Sequence, residues 1–198
     1  MDFSNINIQF DYNSPVILTY LLLSLGACFL NAITKGKSNK LFFTSYRSSI
    51  FNPLTYVRMV THSIGHLNLD HLIHNFLFIL LIGPMIEEKY GSIELIVMFI
   101  ITSIVIALFN IIFNDYVITG ASGNVYMLIV LSSFSNITEG KIPLTLILIL
   151  IFYILSEVKK SITEGNKKVY HDGHLIGAIM GVVFGFYFLY LPVLPFIG

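Results

Sequence analysis

Two stretches of this sequence carry chemically active residue types in a setting that otherwise excludes them. All six histidines fall in two clusters: His62, His66, His71 and His74, then His171 and His174. Between the clusters, Gly120-Ala121-Ser122-Gly123 opens a long apolar run. A serine hydroxyl becomes a useful nucleophile when a neighbouring base takes its proton, and histidine is the most frequent such base. Ser122 is therefore a candidate nucleophile and His174 a candidate base. The small residues flanking Ser122 leave its hydroxyl approachable and permit a tight turn. A helix that begins at Ser122 points its first amides toward that hydroxyl, where they favour the negative charge of an acyl-transfer oxyanion. The motif is not the hydrolase elbow G-x-S-x-G, because Asn124 stands at the final glycine position. A purely structural alternative is a helix-packing site, since small residues are common where membrane helices meet.

Further residues converge on the same reading. Tyr126 lies one helical turn beyond Ser122, where its ring can support an imidazole by stacking. His71 and Asn75 are four apart and share a helix face, and both side chains can donate hydrogen bonds to an oxyanion. Gly173, Gly177, Gly181 and Gly185 recur every four residues and line one helix stripe, which lets a second helix approach closely beside His174. A metal centre is the competing use of the histidines. His62 and His66 are four apart, and His71 and His74 three apart, but Ser63 follows His62 and the HExxH signature is absent. For His62, His66, His74 and His171 the preferred reading is hydrogen bonding to backbone, and no metal is expected.

Composition defines the elements that must position these groups. Of 198 residues 56% are hydrophobic and 11% charged, against about 25% charged in soluble domains. Eleven basic residues balance eleven acidic ones, which excludes a nucleic-acid binder of the usual basic kind. One cysteine excludes an intramolecular disulfide framework, and Cys28 reads as a small apolar helix residue. The class that remains is a polytopic membrane protein. A span needs roughly 20 mostly apolar residues, and six runs free of charge meet or approach that, at about 15–34, 71–86, 95–114, 120–137, 142–156 and 173–191. The runs are continuously apolar, not alternating, so helices are expected and a β-barrel is not. The fifth run is short, and Pro143 suits its start. No repeat or low-complexity linker divides the chain, and one domain over 1–198 is expected. No basic residue precedes Pro15, which does not fit a secretory signal.

Two connections are substantial. Lys35 to Gly65 mixes Lys35, Lys37, Lys40, Arg47 and Arg58 with Leu41, Phe42, Phe43, Ile50 and Phe51, the composition of a segment lying in the membrane interface. Glu157 to Asp172 adds Lys159, Lys160, Lys167 and Lys168. With six spans both connections share one face, which carries nine of the eleven basic residues and by the positive-inside rule would be cytoplasmic.

The ordered set of these residues resembles the rhomboid intramembrane serine proteases, in their minimal six-helix core, from Tyr56 to Gly185. In sequence order come Arg58, Thr61-His62, His66, His71-x-x-x-Asn75, Glu87 after Gly83-Pro84, Gly120-Ala121-Ser122-Gly123 with Tyr126, and His174-x-x-Gly177-x-x-x-Gly181. The resemblance implies an all-α, six-helix membrane bundle. It implies Ser122 as nucleophile and His174 as general base and acid, with no third acidic member. His71, Asn75 and the segment at Gly120 and Ser122 would bind the oxyanion, and Tyr126 would pack under His174. Arg58, His66 and Glu87 would be structural. It further implies cleavage of transmembrane-helix substrates in the bilayer, without cofactor or metal, by a multi-pass protein of a membrane such as the prokaryotic inner membrane. Two departures stand out: Val57 precedes Arg58 where many members have tryptophan, and Gly173 precedes His174 where many have alanine. Rhomboids usually open their serine away from the cytoplasm, opposite to what the basic-residue count indicates. The competing functions are a catalytically inactive rhomboid-like protein that binds membrane helices, a small polytopic transporter, and a zinc-dependent membrane hydrolase.

Overall fold

The computed structural model describes residues 12–114, 116–134 and 172–190, together with helical positions 144, 145, 147, 148, 151, 152, 155, 156 and 159. The expected fifth run, 142–156, is therefore described only in part, at helical positions, and His171 and most of the second basic connection lie outside the described residues. Six α-helices have defined limits: α1 Pro15–Ile33, α2 Pro53–Thr61, α3 Leu69–Tyr90, α4 Ser92–Phe113, α5 Ser122–Ser132 and α6 Asp172–Tyr190. A π-helical turn, Asn39–Phe43, precedes α2. Among the described residues, α1, α3, α4 and α6 are long and apolar enough to cross a membrane, and α5 is a shorter apolar helix.

Local sequence explains where the helices start. Proline opens α1 and α2, where its missing N–H is no loss. Asn52 caps α2 by accepting from the Leu54 amide at 3.0 Å, and Asn68 caps α3 by accepting from the His71 amide at 2.8 Å. Gly91, at φ +98°, turns the chain between α3 and α4. At α1 the cap comes from elsewhere in the chain. The Glu87 carboxylate, near the end of α3, accepts from the Val16 amide at 3.0 Å, the Ile17 amide at 3.2 Å and the Ser92 hydroxyl at 2.7 Å. A buried carboxylate at a helix N-terminus is favoured by both the free amides and the helix dipole.

The helices pack as a bundle around Tyr20, Phe76, Ile79, Leu95, Met98, Met127, Leu128 and Leu131. The most extensive pairing is α5 with α6; α3 packs on α5 and α1, and α4 on α2 and α6. Large apolar side chains such as Leu22, Phe29, Leu81, Ile112 and Tyr187 point outward, as expected where lipid is the solvent. At 11 residues α5 is about 16 Å long, half of what a hydrocarbon core of about 30 Å requires.

The connection from α1 to α3 folds back on the bundle. Ser45 and Ile118 exchange backbone hydrogen bonds at 2.9 Å, and the Thr119 hydroxyl donates to the Phe43 carbonyl at 2.7 Å. Arg58 is buried under this segment, 4.4 Å from the centroid of the Tyr46 ring, and donates to the Ser48 hydroxyl at 2.8 Å. Phe51, Ile50 and Leu41 remain exposed on its outside, which fits a segment resting in the interface.

Replacing Glu87 with alanine leaves the first amides of α1 without a cap in an apolar setting. The expected result is a loss of about 1–2 kcal/mol, read as a lower melting temperature in detergent, with Glu87→Gln intermediate because one acceptor oxygen remains.

Candidate active site

The site is built where α5 begins. Gly120 adopts φ +117° and its amide donates to the His62 carbonyl at 2.9 Å, so the chain turns sharply just before Ser122. The His71 ring occupies the space a side chain at 120 would need: a Cβ there would sit 2.7 Å from its Cε1 and 2.9 Å from its Nε2. Ser122 is the first residue of α5, half-buried, and Ala121 supplies no side-chain cap. The first amides of α5 are thus left to other acceptors.

Helix α6 brings His174 to the same place. A Cβ on Gly123 would lie 3.3 Å from the Gly173 carbonyl oxygen, so the residues adjoining Ser122 and His174 are themselves neighbours. A Cβ at Gly177 would run into the Gly123 carbonyl, and one at Gly181 would lie 2.6 Å from the Met127 carbonyl oxygen. The glycine stripe of α6 is therefore the surface on which α5 sits backbone to backbone. The Tyr126 ring stacks on the His174 imidazole, with centroids 4.5 Å apart and planes 24° apart. Asp172 points away: its Oδ2 accepts from the Asn114 side chain at 2.9 Å.

The oxyanion candidates lie on the first turns of α3. Asn75 is buried and its amide donates to the His71 carbonyl at 2.9 Å, which orients the side chain and leaves a second N–H not engaged in that bond. A cavity of about 30 Å³ touches Ser122 and is lined by His62, Ser63, Ser103, Thr119, Gly120 and Asn124, among others. Asn124 is an element sequence reasoning missed as a site component. Its amide donates to the Tyr20 hydroxyl at 3.3 Å and the Ser103 hydroxyl at 3.4 Å, joining the first turn of α5 to α1 and α4. An amide inside an apolar run, two residues past the serine, was the available signal.

Three other histidines bond to backbone. His62 Nδ1 donates to the Arg58 and Met59 carbonyls at 3.2 and 3.1 Å, His66 Nδ1 to Ile64 at 3.1 Å and His74 Nδ1 to Asp70 at 2.7 Å. Among the described residues no group of three or more His, Cys, Asp or Glu is arranged to hold a metal ion. Burial pushes the pKa of both His62 and His66 down to about 4, with the nearby His71 adding to the effect at His66.

The molecule is thus a polytopic helical membrane protein in which a serine at a helix start and a histidine on a close-packed neighbouring helix share one end of the bundle. The rhomboid domain family matches residues 53–191. Rhomboid protease GluP of Bacillus subtilis (strain 168) is 26% identical over 119 residues, covering 58% of this chain and 24% of the relative's length. The chain belongs to the rhomboid family and is a multi-pass membrane protein whose described residues form an all-helical bundle.

Two outcomes follow from these contacts. Gly177→Leu must push α5 from α6 and is expected to cost about 1–3 kcal/mol in thermal unfolding, as overpacking does. For His62 and His66 the folded state stays neutral down to about pH 4 while the unfolded chain takes up protons near pH 6.5. Stability is therefore full above about pH 6.5 and falls as pH drops from there toward 4. The melting temperature in detergent should decline by several degrees over that window.

Proposed function

We propose that this chain is an intramembrane serine endopeptidase that cleaves transmembrane-helix substrates through a Ser122–His174 dyad. The observation that carries the reading is the placement of the His174 imidazole, stacked on Tyr126 one turn below Ser122, on a helix whose Gly173 carbonyl faces Gly123. Membership of a family of intramembrane proteases supports the reaction class.

In the proposed reaction His174 takes the Ser122 hydroxyl proton as the oxygen attacks the scissile carbonyl carbon. The tetrahedral oxyanion is stabilised by N–H donors of His71, Asn75 and the start of α5, with His71 held against the bare face of Gly120. Collapse breaks the carbon–nitrogen bond, and His174 returns the proton to the leaving amine. Water then loses a proton to His174 and adds its hydroxide to the acyl carbon, which frees the carboxylic acid and regenerates Ser122. The small cavity of about 30 Å³ that borders Ser122 supports access, because it has room for water beside the hydroxyl. Neither metal nor cofactor takes part. Tyr126, Gly177 and Gly181 hold the base in place, and Arg58, His66 and Glu87 hold the frame.

The partners proposed are transmembrane proteins in the same bilayer, the membrane being a prokaryotic inner membrane. In the orientation usual for the family the serine and the exposed Lys37 face away from the cytoplasm, although the basic residues crowd that face. An impermeant thiol reagent on intact cells should then label Lys37→Cys.

Ser122→Ala is expected to abolish cleavage of a reporter helix in liposomes, and a fluorophosphonate should label Ser122 in the parent protein. Asn75→Ala is expected to lower the rate by about 100- to 1,000-fold, as loss of one oxyanion donor does. Normal cleavage by Ser122→Ala would falsify the assignment, and absence of labelling with absence of cleavage would favour an inactive helix-binding relative.

A further inference from the structure

The stripe of glycines that brings α6 against α5 fixes the distance between the two helices but is a poor guide to register. Side chains that interdigitate resist sliding and rotation; a glycine face presents none. Even so, the position of a general base must be held tightly. A group at the rim of a helix about 5–6 Å from its axis moves by about 1 Å for a rotation of about 10°, and a misplacement of that size can lower a rate by about 100-fold. The Tyr126 ring stacks on the imidazole itself, and a directional contact at the start of α6 can add the restraint on helix rotation that the glycine face lacks.

The contact that can do so lies two residues before the histidine. Asp172, the first residue of α6, accepts a hydrogen bond through Oδ2 from the Asn114 side-chain amide at 2.9 Å. Asn114 is the C-cap of α4, and that helix end is itself pinned. Arg47 donates from Nε to the Ile111 carbonyl at 2.9 Å, and from Nη2 to the carbonyls of Ile112 at 3.2 Å and Asn114 at 2.9 Å. The buried Asn110 side chain accepts from the Tyr116 amide at 3.3 Å and donates to its carbonyl at 2.8 Å. The next residue of α6, Gly173, meets Gly123 beside Ser122. Residues 172 and 173 are thus fixed to two different helices just before the chain reaches His174. A charge-assisted hydrogen bond is directional and stronger than a neutral one, and a single polar contact in an otherwise apolar helix interface can specify register.

We propose that Asp172 is a positioning residue for His174, acting through its hydrogen bond with Asn114, which locks the start of α6 to the end of α4. Its carboxylate is directed to Asn114, and its role is to fix the rotation of the helix that carries the imidazole. The inference rests on the serine-protease reading of the site.

The test compares variants of the full chain in liposomes on a reporter transmembrane helix, together with the rate at which a fluorophosphonate labels Ser122. Asp172→Ala is expected to lower kcat about 10- to 100-fold with KM and melting temperature unchanged, and to slow labelling in proportion. Asp172→Asn keeps an acceptor oxygen and should stay close to the parent. Asn114→Asp sets two carboxylates against each other and should lose activity, and adding Asp172→Asn should restore it, because the bond then forms with donor and acceptor exchanged. Parental kcat in Asp172→Ala, or an Asn114→Asp defect that Asp172→Asn does not relieve, overturns the inference while labelling of the parent keeps the protease reading intact. A parent protein that neither labels nor cleaves defeats that reading itself.

Discussion

Two helices can approach backbone to backbone where the face between them is bare of side chains, and the glycine stripe of α6 offers α5 such a face. The Gly123 carbonyl lies where a side chain at 177 would have to go, and the Met127 carbonyl crowds 181 in the same way. In lipid there is no hydrophobic force to pull helices together, so close van der Waals packing over a bare strip is what makes the pair stable. Everything at the site inherits its geometry from this approach. Ser122 stands one residue before Gly123 and His174 one residue after Gly173, so the meeting of the glycines brings the chain positions of the proposed nucleophile and base close together. The Tyr126 ring then fills the step beneath the imidazole.

The second constraint is that polar groups within the bundle need partners. The first connection meets it by spending its polar groups on bracing the segment before Ser122. Ser45 pairs with Ile118, Thr119 bonds to Phe43, and the His62 carbonyl receives the Gly120 amide. The buried His62 and His66 satisfy the same demand by bonding to carbonyls within four residues of themselves. Arg58, although counted among the basic residues of one face, is buried beneath Tyr46 and contributes little to that face's exposed charge. Within this braced bundle the first turn of α5 is capped by no side chain of its own N-cap residue.

Much of this was legible in the residues. The apolar runs outlined α1, α3, α4 and α6 because crossing hydrocarbon demands long uninterrupted stretches. A helix start at Ser122, a stripe at 173, 177, 181 and 185, and a ring one turn beyond the serine are statements about a 3.6-residue period, which chain spacing carries directly. The backbone-bonded histidines were readable for a related reason: their acceptors are near in sequence. Other contacts gave no such sign. Glu87 caps a helix that begins about 70 residues earlier, Asn124 reaches Tyr20 across 104 residues, and Asn114 meets Asp172 across 58. Nothing local to those residues names the partner.

The division has a physical cause. Helix limits, face periodicity and the need to hide polar groups from lipid are short-range demands, and the order of amino acids decided them: a membrane bundle with a serine at a helix mouth and an imidazole beside a glycine strip. Which strip meets which helix, in what register and at what rotation, depends on how all the faces fill space together. Only the folded bundle could settle that α6 lies on α5, that the end of α4 holds Asp172, and that a carboxylate from α3 closes the first turn of α1.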